Sequence, residues 1–312
     1  MIFSCGEALV DLVPDTPAGD TGEGRVPLPG RVPLPGGGPM NVAIAAARLG
    51  AASSFVGGIS NDEFGEMLLA HLTVNGVDVS LCQRFDAPTA KAIVEHVPQL
   101  RFRFEGVDTA DTQLADLDTD SIVGAHNIVH GGTLGMFRGP TAETLARLAE
   151  SHDGMVSLDP NIRPQIIDDR DAWWHFHQRW LPHVDVYKGS DEDLEWIWPD
   201  RTPEESAEWL LANGVGAVIV TRGSEGLQIL TPTTSARATP PEVDVVDTVG
   251  AGDTIVGTVL TSIVEHFDGA AIELAELGAT EWQTFADRAV AAAAITCSRA
   301  GADTPLRSEV DW

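Results

Sequence analysis

Lysine is nearly missing from this chain of 312 residues: only Lys91 and Lys188 occur, and arginine supplies the other cations. With 47 acidic residues against 19 lysines and arginines, the formal net charge is −28. Such a field repels nucleic-acid backbones and anionic lipid, which excludes both as partners. A polyphosphate ligand would need local N–H donors and a divalent ion to offset the same repulsion. Cysteine is also scarce. Cys5, Cys82 and Cys297 are odd in number, far apart and form no CxxC pair. That excludes a disulfide framework and fits a reducing cytoplasm. No apolar run approaches the ~20 residues of a membrane span. The N-terminal Met-Ile-Phe-Ser-Cys-Gly-Glu has no basic region and meets an acid at Glu7, so it does not read as a signal peptide. Neither a GxxxxGK[ST] phosphate loop nor a GxSxG nucleophile elbow occurs, which removes the commonest rival enzymes. His175 and His177 are two apart and share no helix face, so they do not read as a metal pair.

What is present is globular in composition, with 43% hydrophobic and 21% charged residues. The length supports one large α/β domain or two, either with a sizeable core. Short apolar strands are expected at 2–5, 54–56, 127–130, 155–158, 184–187 and 217–221. Helices are expected at 42–49, 62–75, 171–181, 191–197, 202–213 and 285–300, with a further one after Asp253. This alternation predicts an α/β fold, a mostly parallel sheet with helices on both faces. Residues 227–230 and 234–238 read as a small antiparallel pair. Residues 8–13 read as an extension of the first strand, running out into a loop at Asp11. Residues 14–36 contain a tandem hexapeptide, Arg25-Val-Pro-Leu-Pro-Gly30 and Arg31-Val-Pro-Leu-Pro-Gly36. It reads as a local duplication in a tolerant surface segment, and its prolines exclude helix and any central strand. Residues 84–105 hold a hairpin-like pair. Segments 14–36 and 84–105 fall outside the parallel core, and a small β lid is expected from them.

Three stretches carry chemistry. Asp247-Thr-Val-Gly250-Ala251-Gly252-Asp253 opens directly into the helix-periodic stripe Ile255, Val256, Val259, Leu260, Ile263 and Val264. Its bare glycines expose peptide N–H groups at a helix N-terminus, where an anion is favoured. A carboxylate would repel that anion, so Asp253 needs a reason to be there. Proton removal from a nucleophile that attacks the held phosphoryl group supplies one. Gly36-Gly37-Gly38-Pro39-Met40-Asn41 is a second glycine-rich helix entry, and three glycines favour a bound polar ligand over a plain turn. Asp11, Asn161 and Arg163 lie near strand ends, where open α/β sheets bind ligands. Asp11 suits a polyol, because a carboxylate accepts two hydroxyl hydrogen bonds, and Arg163 suits phosphate. Surface turns and ion pairs would account for each of these singly. The Thr221-Arg-Gly223-Ser-Glu-Gly226 turn is weak alone. His130 reads as a structural hydrogen-bonder, and the Trp173, Trp174, Phe176 and Trp180 group as packing.

Taken in order, Gly6–Asp11, Gly36–Ala43, Asp159-Pro-Asn-Ile-Arg163, Thr221–Gly226 and Asp247–Asp253 resemble the ribokinase-like, PfkB-type carbohydrate kinases over essentially the whole length. The Asp-Pro-Asn-x-Arg and Gly-Gly-x-Pro-x-Asn elements look most like the fructokinase and 2-keto-3-deoxygluconate kinase branch. The resemblance implies a single three-layer kinase domain over 1–312, with a lid from about 12–36 and 84–105. It implies ATP-dependent phosphorylation of a sugar hydroxyl, with fructose or a related keto sugar as acceptor. Asp253 would be the base, and Gly250, Ala251 and Gly252 would stabilise the transferring group. Asp11, Gly37, Gly38, Asn41, Asn161 and Arg163 would hold the sugar. Lys188, Ser190, Thr221, Gly223 and Gly226 would serve ATP. Mg²⁺ would meet Asp193 through water, K⁺ would sit by the Asp247 loop, and a homodimer would form through the lid. Asp193 departs from the family's Asn-x-x-Glu pattern by one methylene. The lid sequence at 101–108 also departs from its branch. The alternatives are a nucleoside kinase of the same fold and an inactive sugar-binding regulator.

Overall fold

The computed structural model describes residues 1–14, 30–97 and 99–312. In chain order the strands and helices begin with β1 (Ile2–Cys5), β2 (Leu9–Pro14), β3 (Arg31–Gly36) and α1 (Gly38–Arg48). Then come β4 (Ser53–Val56), β5 (Gly58–Ser60), α2 (Glu63–Val74), β6 (Gln83–Phe85), β7 (Lys91–Val97) and β8 (Gln99–Glu105). The middle of the chain gives β9 (Ile128–Gly132), α3 (Gly139–Ser151), β10 (Met155–Asp159), α4 (Arg170–Trp180), β11 (Val186–Ser190) and α5 (Asp191–Ile197). The last part gives α6 (Pro203–Ala212), β12 (Ala217–Thr221), β13 (Leu227–Leu230), β14 (Ser235–Ala238), α7 (Ala251–Phe267) and α8 (Ala279–Cys297).

An eight-stranded sheet runs in the order β14-β13-β12-β11-β10-β9-β1-β4. From β4 to β12 all pairs are parallel, and β13 and β14 close one edge antiparallel. Its inner strands are buried because both faces are covered, the edge strand β14 alternates exposed and buried residues, and successive side chains enter opposite layers. Val218 and Val220 of β12 join the layer under α3 to α6, while Ala217 and Ile219 join the layer under α1, α7 and α8. The α7 stripe of Ile255, Val256, Val259, Leu260 and Ile263 is buried. Each such side chain contributes about 1.5–3 kcal/mol, and together they hold the helix's first turn rigidly against the sheet.

A second sheet, in the order β3-β2-β7-β8, stands apart from the first. Here the structure corrects the sequence reading of residues 8–13. The chain breaks at Gly6, and β2 leaves the main sheet to pair with β3 and β7, so Asp11 lies inside a strand and not in a loop. The cause is pairing that short-range periodicity cannot register. The second hexapeptide copy forms the edge strand β3, a position that tolerates proline. All of the first copy except Gly30 lies outside the described residues. Two further departures are local. Helix α3 was not expected, yet Pro140 sits in its first turn, where proline is preorganised, and Leu145 and Leu148 are buried. Helix α8 begins at Ala279, well before 285, because Glu281 folds back onto Gly278 N–H at 3.0 Å.

Candidate active site

The first turn of α7 starts from Gly250 in the left-handed conformation, at φ 77°. Ala251 N–H makes a long bond to Thr248 O at 3.3 Å, and the N–H groups of Gly252 and Asp253 have no acceptor among the described residues. These are the orphan donors every helix start leaves, here facing a cleft. Asp253 lies beside them and accepts a hydrogen bond from Asn41 Nδ2 at 2.8 Å. Its carboxyl pKa is raised by burial, against the opposing pull of Asn41, Lys188 and Arg163. A buried carboxyl whose pKa is raised by burial, with a donor favouring its ionised form, suits proton abstraction.

Gly38 opens α1 directly against this acid. A Cβ there would meet Thr133 Oγ1 at 2.7 Å, Asn161 Nδ2 at 3.4 Å and Asp253 Oδ1 at 3.5 Å. Only glycine leaves that space to a ligand. Thr133 and Asn161 both adopt positive φ, 47° and 39°, which is uncommon for residues with a side chain. Asp11 reaches the same region from β2. Burial, with Asp247 adding to it, pushes its pKa to about 6, while Arg163 opposes the shift. The Arg163 guanidinium is exposed, bonds Ile162 O at 2.9 Å, and acts on both Asp11 and Asp253 through its charge. The predicted sugar residues Asp11, Gly38, Asn41, Asn161 and Arg163 therefore converge on Asp253, and Gly37 adjoins them at φ 116°.

Behind Asp253, Lys188 is buried and bonds Asp159 Oδ2 at 2.9 Å. Burial alone would depress the ammonium, but Asp159, then Asp193 and Asp253, outweigh it and hold the pKa above the ordinary lysine value. Ser190 caps α5: its Oγ accepts Asp193 N–H at 3.0 Å. Asp193 returns the bond, accepting Ser190 N–H at 2.9 Å with one oxygen and Ile162 N–H at 2.8 Å with the other. Asp247 likewise spends its oxygens on Val249 N–H at 3.1 Å and Gly301 N–H at 2.9 Å. Among the described residues, no cluster of three or more His, Cys, Asp or Glu forms a metal site by itself.

A cavity of about 880 Å³ runs from the Thr221, Gly223 and Gly226 turn past the first turn of α7 to Val290, Ala294 and Cys297 of α8. Its lining contains no aromatic ring. Lys188 and Ser190 are not part of that lining. Two residues near the site were missed in the sequence. Thr133 follows Gly131-Gly132 at the end of β9, and that strand-end glycine pair was the available signal. Glu7 is fully buried and accepts Gly135 N–H at 2.9 Å and Gly38 N–H at 3.3 Å, tying the α1 entry to the Thr133 turn. Burial pushes its pKa to about 8. His130 bonds Ser157 Oγ at 3.1 Å and His177 bonds Tyr187 OH at 3.0 Å, both deep in the core.

Comparison with known proteins gives this geometry a lineage. The chain is 35% identical to a fructokinase of Rhizobium leguminosarum bv. trifolii over 267 residues, 84% of this chain and 79% of that protein. A fructokinase of Xylella fastidiosa with bound ATP superposes with a TM-score of 0.84 at 28% identity, covering 99% of this chain and 96% of the other. A double mutant of the fructokinase of Vibrio cholerae O395, in a fructose-, ADP- and potassium-bound form, gives a TM-score of 0.80 at 26% identity, covering 98% of this chain and 94% of the other. The model of the pfkB family carbohydrate kinases matches residues 1–309, and the chain belongs to that family.

Proposed function

We propose that this chain transfers the γ-phosphoryl group of ATP to a hydroxyl of fructose or a closely related keto sugar. The observation that carries the reading is the Asn41-held carboxylate of Asp253 beside the unpaired N–H groups of Gly252 and Asp253. Asp253 takes the proton of the attacking hydroxyl. The amides of the helix start, Gly250, Ala251 and Gly252 with the unpaired Asp253 N–H beside them, receive charge that develops on the transferring group, and positioning does most of the rest. Asp11, Gly37, Gly38, Asn41, Asn161 and Arg163 orient the sugar. Thr221, Gly223 and Gly226 lie along the cavity assigned to the nucleotide, with Lys188 and Ser190 on the side facing the acid cluster. The sheet that carries Asp11 serves as the lid of a single domain, and a homodimer through it belongs to the same reading. A cytoplasmic setting rests on the sparse cysteines. Among the described residues no helix is long and apolar enough to cross a membrane.

Mg²⁺ fits this site. Asp11, Asp159, Asp193, Asp247 and Asp253 outnumber Lys188 and Arg163, so a triphosphate needs an accompanying cation. The phosphates would carry most of its coordination. Asp193 would meet it through water, since both of its oxygens already accept backbone N–H groups. Bound Mg²⁺ would neutralise charge on the phosphates. K⁺ is proposed at the Asp247 loop, on the precedent of the potassium-bound Vibrio enzyme.

The test is coupled ADP release with fructose, ribose, 2-keto-3-deoxygluconate and nucleosides, with the product's phosphorylated position read by phosphorus NMR. Turnover with fructose or another keto sugar is expected. Turnover confined to nucleosides, or sugar binding without ADP release, would overturn the proposal.

A further inference from the structure

The ammonium of Lys188 ends beside the anion-binding turn. A Cβ built on Gly252 would lie 3.0 Å from Nζ and 3.7 Å from Cε, so the side chain of Lys188, at the middle of β11, reaches the first turn of α7. An ammonium has three donors. Asp159 Oδ2 takes one at 2.9 Å, and the other two find no acceptor among the described residues, although the side chain is only 7% exposed. Asp159 in turn is fixed at the end of β10, where its other oxygen accepts Asn161 N–H at 3.1 Å. The amine is thus pinned at one point with donors unspent, next to unpaired N–H groups of the helix start.

Composition sharpens this. Arginine is the default cation of this chain, and Lys188 is one of two lysines. The gap between Asp159 and Gly252 admits a compact tetrahedral head; a planar guanidinium is wider and points its donors in one plane. The bare α-carbon of Gly252 leaves the room that a side chain would take from the amine.

We infer that Lys188 is a catalytic residue that donates hydrogen bonds to the γ-phosphoryl group during transfer, and that it is not primarily a nucleotide-affinity group. This rests on the kinase reading above. In the step, the hydroxyl proton goes to Asp253 and the sugar oxygen bonds to the γ-phosphorus. The bond from that phosphorus to the bridging oxygen breaks, and its electron pair leaves with ADP. Lys188 stays protonated throughout. Its two free donors complete, from the β11 side, the hole that the amides of Gly252 and Asp253 form from the α7 side.

The test begins with wild-type ADP release, whose absence for every sugar would sink the kinase reading and leave Lys188 unaddressed by it. Given turnover, Lys188→Met is expected to lower kcat by roughly 10²–10³, the loss typical of one oxyanion donor. MgADP affinity should stay unchanged, while affinity for a non-hydrolysable ATP analogue should fall. Lys188→Arg, which keeps the charge, should show the same split and covers the case in which the methionine variant does not fold. The double variant Lys188→Met with Asp159→Asn separates catalysis from ion-pair loss. Persisting kcat loss in the double supports the inference. Recovery of kcat in the double, a matching loss of MgADP affinity, or a folded Lys188→Met or Lys188→Arg enzyme of normal kcat would each overturn it.

Discussion

Removing the single donor that holds Asp253 should move the acid limb of the pH–rate profile. In Asn41→Ala the 2.8 Å bond from Nδ2 to the Asp253 carboxylate is lost. That bond lowers the acid's pKa, while burial, the larger influence, raises it. Its removal therefore shifts the pKa further up, and the base is protonated over a wider range. A hydrogen bond to a charged group is worth about 1.5–3 kcal/mol. At about 1.4 kcal/mol per pH unit, the limb should move upward by roughly one to two units. The measurement is kcat at saturating ATP and sugar across the acid and neutral range, for wild type, Asn41→Ala and Asn41→Ser. Serine restores a shorter donor and should give an intermediate limb. Above the limb, kcat should approach the level set by positioning alone. A limb that stays put in Asn41→Ala, while kcat falls equally at every pH, would refute the tuning role and leave Asn41 as a sugar contact only.

Four other outcomes are expected. Asp253→Asn should keep the fold and lower kcat by about 10²–10⁴, the cost of losing a general base; near-normal turnover would remove Asp253 from the mechanism. Because burial raises Asp11 to about 6, the sugar KM should rise as pH falls through that value, for a protonated carboxyl loses acceptor capacity. The same upward shift means its contribution to stability is present below the unfolded value near 4 and is lost as pH rises through about 6, so Asp11→Asn should gain Tm above pH 6 and not below 4. A Tm difference independent of pH would contradict this. The net charge of −28 implies self-repulsion that salt screens, the Debye length shrinking from about 10 Å at 0.1 M to about 3 Å at 1 M. Tm should climb with KCl over that range, and the climb should flatten when several exposed acids such as Glu192, Glu195 and Glu208 are changed to glutamine. A flat Tm in the wild type would show that the acids are spaced too widely to repel.

The alternating strands and helices, the α7 stripe and the glycine-rich entries at Gly36–Gly38 and Gly250–Gly252 were legible in the sequence, because each depends on neighbours within a turn or two. So was the placement of an acid, Asp253, in the first turn of a helix that opens on glycines. Thr133 and Glu7 were not legible. A threonine after two glycines and a glutamate after one carry no local mark of function. Their roles arise only when β1, β9 and α1 are packed together. Asp11 was read as a loop residue and lies in a strand, since apolar content marks a strand without naming the sheet it joins. Lys188 illustrates the same division. Its scarcity is a property of composition, and its chemistry is a matter of place.

The sequence by itself determined the fold class, the helix start that gathers N–H donors and the acid beside it, all set by bonds spanning a few residues. Only the tertiary structure decided which groups act on that acid. Asn41 and Asp253 are 212 positions apart and meet because α1 and α7 pack on the same face of the sheet. Lys188 reaches Gly252 because packing brings the first turn of α7 within range of a side chain from the middle of β11. Such meetings depend on the burial of whole apolar layers, whose free energy belongs to the assembled sheet and not to any one segment.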